Sequence, residues 1–199
     1  MSAHARDGSR RSLPRSQLQK AEDMLDTALL RDAYRALLDA AATVNAAATV
    51  ADSGAPSPIP PAGEWNADQI LAHVSIITAG TIAAAASVAS GTNTTYDNRI
   101  ALDTWTIERV IARAGGSAGL RDRIRCQADS LCALGGPALS EAELDTPVPA
   151  LLLSNGTVLV DQLMPLRDLI SGLADVELPA HARQLLSLLP ESAVARATT

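Results

Sequence analysis

The spacing of apolar residues predicts that the chain is built mainly of helices. Between residue 17 and about residue 50, apolar side chains recur every three or four positions, and Arg31, Asp32 and Arg35 lie away from that stripe. The segment 51–64, ADSGAPSPIPPAGE, is predicted to be a loop, because proline inside a helix removes a hydrogen bond and clashes with the preceding turn. The residues of the stripe, which predict one long amphipathic helix, are Leu25, Leu29, Ala33, Leu37, Ala40 and Val44.

A second helix is predicted from the local signals around residue 66. Asn66 is a favoured N-cap residue, and Gln69 stands three positions later, which is a variant of the capping box. Asp68 in the first turn complements the helix dipole. The apolar run that follows predicts a buried helix that ends at about Ala89, before Gly91.

Two further helices and a hairpin are predicted in the middle of the chain. Gly115 and Gly116 stop the third helix, and the Gly-Gly-Pro sequence at 135–137 closes the fourth. Asn155 and Gly156 lie between two short β-type runs, which predicts a hairpin with a tight turn. The apolar residues that mark the third helix are Ile107, Val110, Ile111 and Ala114, and those that mark the fourth are Leu120, Ile124, Leu131 and Leu134.

A last helix is predicted to start near Asp161. It must accommodate Pro165 near its first turn, and Pro179 further on. The apolar residues of this region are Leu163, Leu166, Ile170 and Leu173. Together these elements predict an all-α fold, a four-helix bundle with a short β-hairpin before its last helix.

The composition fits one domain with an aliphatic core. Apolar residues make up 47% of the 199 residues and phenylalanine is absent, so leucine, isoleucine, valine and alanine must form the core. The bundle is predicted to occupy residues 17–189. Residues 1–16 are expected to be a disordered basic arm, and residues 190–199 a loose tail.

The charge distribution makes nucleic acid an unlikely partner for the folded domain. Residues 1–20 carry five basic side chains and Asp7, a balance of +4, so the rest of a chain with net charge −6 carries −10. Phosphate is repelled by such a surface, although the basic arm could contact an anionic partner. Cys126 and Cys132 are predicted to lie on different helix faces as free thiols. The stretch Ile70–Ser90 is read as a buried helix rather than a membrane span, and a cytoplasmic protein is expected.

Three side chains are candidates for metal chemistry. Glu177 and His181 are four residues apart, so a continuous helix would turn both to one face, and His73 would come from another helix. Two imidazoles and a carboxylate from facing helices can hold a divalent cation and leave coordination positions open. The alternatives are that His73 is a core histidine bonded to a backbone carbonyl, and that Glu177 is solvated. Pro179 between the two ligands could spoil their shared face or aim both side chains inward.

The residues Trp65-NADQIL-AlaHis73, a hairpin before the last helix, and Glu177-LPA-His181 resemble the DinB/YfiT-like superfamily. The closest pattern is that of the metal-binding N-terminal domains of mycothiol-dependent maleylpyruvate isomerases. The resemblance implies an up-down-down-up four-helix bundle and a divalent metal, usually zinc. It implies that His73, Glu177 and His181 are the metal ligands.

The resemblance also implies a thiol-dependent transferase or isomerase-like activity. A low-molecular-weight thiol such as mycothiol would then be a co-substrate, and a small electrophile its partner. Gln184 is a candidate to hydrogen-bond to one of the metal ligands, and Arg183 or Arg167 is a candidate to bind a substrate carboxylate. The alternative is a non-catalytic bundle that dimerises or binds a small ligand. A homodimer is plausible in both cases.

Overall fold

The computed structural model describes residues 25–51, 64–154 and 156–189, and it is mostly helical with a small three-stranded sheet. The predicted helical character is therefore confirmed. The predicted basic arm, the tail, most of the Pro-rich loop and Asn155 lie outside the described residues. The helices are α1 (Ala28–Ala51), α2 (Ala67–Ala89), α3 (Thr104–Ala114), α4 (Ser117–Ala133), α5 (Glu141–Leu144), α6 (Leu166–Gly172) and α7 (Leu178–Ser187), and the strands are β1 (Tyr96–Asp97), β2 (Pro147–Ser154) and β3 (Thr157–Pro165).

Three shorter helical segments join these elements. A 3₁₀ turn at Arg99–Leu102 leads from β1 into α3. Wide π-helical turns follow α4, at Leu134–Ala138, and link α6 to α7, at Leu173–Glu177. The chain therefore winds through Gly135, Gly136 and Pro137 as a π-helix, where the sequence predicted that the fourth helix would already be closed.

The long helices pack around a shared aliphatic core. Helix α1 packs against α7 and α4, and α2 packs against the same two helices. The shorter α3 packs against α2 and α4. Fully buried side chains from α2, α4 and α7, such as Leu71, Ile124 and Leu178, meet in this core. Burial of each such side chain contributes about 1.5–3 kcal/mol to stability.

Helix α2 has the predicted bounds because its N-terminus is capped as predicted. The Asn66 side chain accepts a hydrogen bond from the Gln69 backbone at 2.9 Å, and the Gln69 side chain accepts one from the Asn66 backbone at 3.0 Å. Helix α2 is long and apolar enough to cross a membrane, but 61% of its most apolar window is buried inside the protein. Its apolar character is accounted for by its place in the core.

The stripe that α1 buries differs from the predicted one. The helix begins at Ala28, and Leu29, which was assigned to the core, is 66% exposed. Tyr34 is buried instead, since its hydroxyl bonds to Thr78 Oγ1 at 2.8 Å and so loses no hydrogen bond inside the core. The residues that α1 buries are Leu30, Tyr34, Leu37, Ala40, Ala41 and Val44.

The predicted hairpin is confirmed, and it belongs to a larger sheet. Strands β2 and β3 are antiparallel, and Ser154 pairs with Thr157 across the tight turn. The short segment 92–98, TNTTYDN, contributes β1, and β1 pairs in parallel with β2. Asn98 extends this pairing, because its side-chain amide exchanges two hydrogen bonds with the backbone of Leu153, both at 2.9 Å.

The predicted start of the last helix, near Asp161, is wrong. Asp161 and Leu163 lie in β3, which continues to Pro165, and α6 begins at Leu166. Proline has no N–H to donate and fixes its own φ, so it fits the end of an edge strand that leads into a helix. Of the four apolar residues assigned to this helix, Leu163 is exposed, while Leu166, Ile170 and Leu173 are buried.

Candidate metal centre

The structure brings His73, Glu177 and His181 together in one cluster. One potential ligand atom from each residue lies within 4.8 Å of those of the other two, and the two imidazole ring centroids are also 4.8 Å apart. His73 is buried, and His181 and Glu177 are partly exposed. The cluster therefore sits at the edge of the core, with Glu177 as its most exposed member.

The His73 imidazole, which α2 carries, is held from two sides by groups outside that helix. Its Nδ1 lies 2.8 Å from the carbonyl oxygen of Ala101 in the 3₁₀ turn. Its ring also contacts Trp65, just before α2, with ring centroids 4.8 Å apart. These contacts fix the imidazole in one orientation, so little conformational entropy remains to be lost when it binds a ligand.

The π-helical turn explains how Glu177 and His181 share a face despite Pro179. The N–H of Leu178 bonds to the carbonyl of Leu173, five residues earlier, as in a π-helix. Pro179 follows as one of the first residues of α7, a position where a missing N–H costs little. The π-helical turn thus accommodates Pro179 without breaking the helix, and Glu177 Oε2 lies 3.5 Å from His181 Nε2.

Both imidazoles use Nδ1 for their hydrogen bonds to the rest of the protein. His73 Nδ1 donates to the Ala101 carbonyl, which can only accept. His181 Nδ1 lies 2.9 Å from Gln184 Oε1, and donates to it in the same way. In the neutral form of each ring this bond places the lone pair on Nε2. Metal-binding histidines are oriented by such a bond from the opposite nitrogen.

The protonation states of the cluster also suit a cation. Burial is the main cause that lowers the pKa of His73 to about 4, so this imidazole is neutral at pH 7 and its lone pair is free. Interaction with a proton on the His181 imidazole is the main cause that lowers the pKa of Glu177, so this carboxyl is ionised. A bound cation would take the place of that proton. At pH 7 the cluster thus offers a neutral nitrogen donor from His73 and one negatively charged oxygen donor.

The distances fit a small divalent cation. A tetrahedral zinc ion with bonds of about 2.1 Å has ligand atoms about 3.4 Å apart. The 3.5 Å separation of Glu177 Oε2 and His181 Nε2 already matches that spacing. The widest separation in the cluster, up to 4.8 Å, requires the donors to move inward by about 1 Å. The residues present therefore fit a zinc-type site with three protein ligands.

Of the three supporting residues predicted from sequence, one lies at the cluster. Gln184 contacts His181 directly. Arg183 is exposed and donates to the carbonyl of Pro179 in its own helix. Arg167 bonds to Glu141 and to Asp145, which ties α6 to α5. The interactions of both arginines are with groups outside the cluster.

Two residues near the cluster gave no sequence signal. Ala101 takes part through its carbonyl, which any residue type would provide. Tyr96 is buried beside α2 and interacts electrostatically with Glu177, but it lies in a strand of two residues, too short for any periodicity.

Comparisons of the chain with protein-family models, with curated proteins and with solved structures found no match. A functional assignment therefore depends on the geometry of the cluster and on the short sequence motifs that carry its three residues.

Proposed function

We propose that this chain is a DinB-like metal-binding protein whose centre is formed by His73, Glu177 and His181, with zinc as the favoured ion. The observation that carries the proposal is the convergence of these three side chains, from α2, the π-helical turn and α7, within 4.8 Å. The spacing of the same residues along the chain resembles that superfamily. Sequence and geometry thus support the same ligand set independently.

The helix packing supports a DinB-like four-helix bundle. Helices α1, α7, α2 and α4 form a closed ring in which each packs against the next. If α6, the π-helical turn and α7 count as one helix, the ring consists of the four long helices of the described residues. The hairpin precedes the last of them, as the resemblance implies.

The activity that this centre favours is transfer to or from a small thiol. A divalent ion held there would polarise a bound group or favour the ionised form of a thiol, since coordinated thiols lose their proton. The protein's own contribution is to supply one carboxylate and two oriented imidazoles, and to leave the remaining positions to non-protein ligands. Trp65 and the core behind His73 keep water from that side of the site.

Metal analysis tests the proposal. Untagged protein is expected to bind one zinc ion per chain after dialysis against a zinc buffer, and His73→Ala is expected to bind none. His4→Ala is the matched control, since it removes the chain's only histidine outside the cluster. Full zinc content in His73→Ala would show that the assigned site is wrong.

Gln184 is expected to strengthen metal binding through His181. Gln184→Leu keeps the size of the side chain but removes the acceptor for Nδ1, so we expect zinc affinity to fall by about 10-fold. Gln184→Glu retains an acceptor oxygen and should bind zinc at least as tightly as the original chain. A competition titration with a chelating dye measures both. Equal affinities for the two variants would contradict the orienting role of Gln184.

A further inference from the structure

The two tyrosines of the chain are both buried, and each contacts a threonine of α2. Tyr34 and Thr78 have their hydroxyl oxygens 2.8 Å apart, which is a normal hydrogen bond. The Tyr96 hydroxyl lies 3.4 Å from Thr81 Oγ1, which is a long contact. Both pairs consist of a tyrosine and a threonine, but only Tyr34 makes a hydrogen bond of normal length to its threonine.

Tyr96 lies along the same face of α2 as His73. A Cβ atom at Gly80 would lie 3.5 Å from Tyr96 Cε2, so the ring packs directly over that glycine. Gly80 follows His73 by two helical turns and shares its face, about 10 Å further along the axis. Thr78, the partner of Tyr34, is turned to a different face of the helix. Tyr96 therefore lies next to the exposed face of α2 around Gly80, the same face that carries His73, and Tyr34 does not.

The phenol of Tyr96 also lies within electrostatic reach of the cluster. Burial is the main cause of its raised pKa, and the negative charge of Glu177 adds to the rise. The neutral, proton-bearing form of Tyr96 is thus favoured over a wide pH range, and it can act as a hydrogen-bond donor. The pKa of Tyr34 is also raised, mainly by burial, and without a contribution from Glu177.

The proton of the Tyr96 hydroxyl is available for a ligand. The Thr81 hydroxyl donates to the carbonyl of Ile77 at 3.0 Å and, in the longer contact of 3.4 Å, to the Tyr96 hydroxyl oxygen. Tyr96 is the acceptor in this contact, so it does not use its own proton there. Thr81 is the hydrogen-bond partner that the described part of the chain provides for Tyr96. A phenol held by one long contact can turn toward a better acceptor at little cost.

We infer that Tyr96 donates a hydrogen bond to a carbonyl oxygen of the small molecule that binds at the His73–Glu177–His181 cluster. The inference rests on the proposed function and narrows its ligand class. A thiol that also carries a carbonyl oxygen, such as a mercapto amide, has the acceptor that this contact requires. Tyr96 would then supply the polar contact that the sequence led us to expect from Arg183 or Arg167.

A comparison of paired thiols tests this contact. Cobalt-loaded protein is titrated with ω-mercapto amides and with alkanethiols of matching chain length, and binding is followed by the thiolate-to-cobalt charge-transfer absorption. For the length that fits best, Tyr96→Phe is expected to reduce the preference for the amide over the alkanethiol by about 3- to 10-fold. Tyr34→Phe is the matched control and should leave the preference unchanged. A preference that Tyr96→Phe does not alter at any chain length would overturn the inference.

A second measurement uses the original chain and does not depend on a variant that folds. Protein labelled with ¹³C at the phenol carbon of tyrosine gives two signals, because the sequence has two tyrosines. Adding the best mercapto amide to zinc-loaded protein is expected to shift the Tyr96 signal and leave that of Tyr34 in place. Failure to load cobalt or zinc would overturn the proposed function itself, whereas loading and thiol binding without a Tyr96 response would overturn only the role of Tyr96.

Discussion

Replacing Glu177 by glutamine is expected to weaken zinc binding by at least about 100-fold. Glu177 is the negatively charged member of the cluster, and its Oε2 lies 3.5 Å from His181 Nε2. Glutamine has nearly the same shape but offers a neutral amide, which is a poor zinc ligand and leaves the charge of the ion uncompensated. Competition with a chelating dye measures the change in affinity directly.

Asp175 provides the matched control for this substitution. It lies in the same π-helical turn, Leu173–Glu177, but it is exposed and takes no part in the cluster. Asp175→Asn removes the same charge from the same turn, so we expect a change of about 3-fold or less, as for a screened charge outside the site. Equal losses in the two variants would mean that general electrostatic attraction, and not ligation by Glu177, determines zinc affinity.

Local signals in the sequence predicted those parts of the fold that local chemistry determines. Asn66 and Gln69 form a reciprocal cap whose hydrogen bonds join residues three positions apart. Four consecutive residues therefore determine where α2 starts. The tight turn after Ser154 is equally local, and it fixed the pairing of β2 with β3. In both places the short-range preference and the packed structure agree.

Features of the fold that depend on residues far apart in the chain could not be predicted from the sequence. Tyr34 replaces Leu29 in the core because Thr78, which is 44 residues away, accepts or donates a hydrogen bond at its hydroxyl. Strand β1 exists because β2 offers it an edge more than fifty residues later in the chain. A two-residue strand buries too little by itself to leave a pattern.

The candidate site was predictable in its residues but not in its geometry. The spacing of Glu177 and His181 indicated a shared helix face, and His73 was the other histidine within a predicted helix. The resemblance implied that all three are ligands. Whether Pro179 would destroy that face depended on a π-helical turn, which has no simple sequence signature. The tautomer of His73 depended on the carbonyl of Ala101, a group that every residue has.

Acidification is expected to destabilise the metal-free protein through His73. Burial lowers the pKa of this imidazole in the folded state to about 4, while in the unfolded chain the pKa is near the ordinary value of 6.5. Between these two values the unfolded chain binds a proton that the folded state does not, so the free energy of unfolding falls as pH falls. From pH 7 to pH 5 this amounts to about 2 kcal/mol, and to about 3 kcal/mol over the whole window.

Urea titrations of chelator-treated protein at pH 7 and pH 5 measure this loss. His73→Asn is expected to remove most of it, since the asparagine amide can still donate to the Ala101 carbonyl but does not titrate. His4→Asn should retain the loss in full. Glu177 adds a separate loss at lower pH, because its lowered pKa means that stability present above the ordinary value of 4.5 disappears as pH falls through the folded-state pKa. An equal loss between pH 7 and pH 5 in His73→Asn would mean that a different group takes up the proton, and that His73 is not kept neutral by its burial.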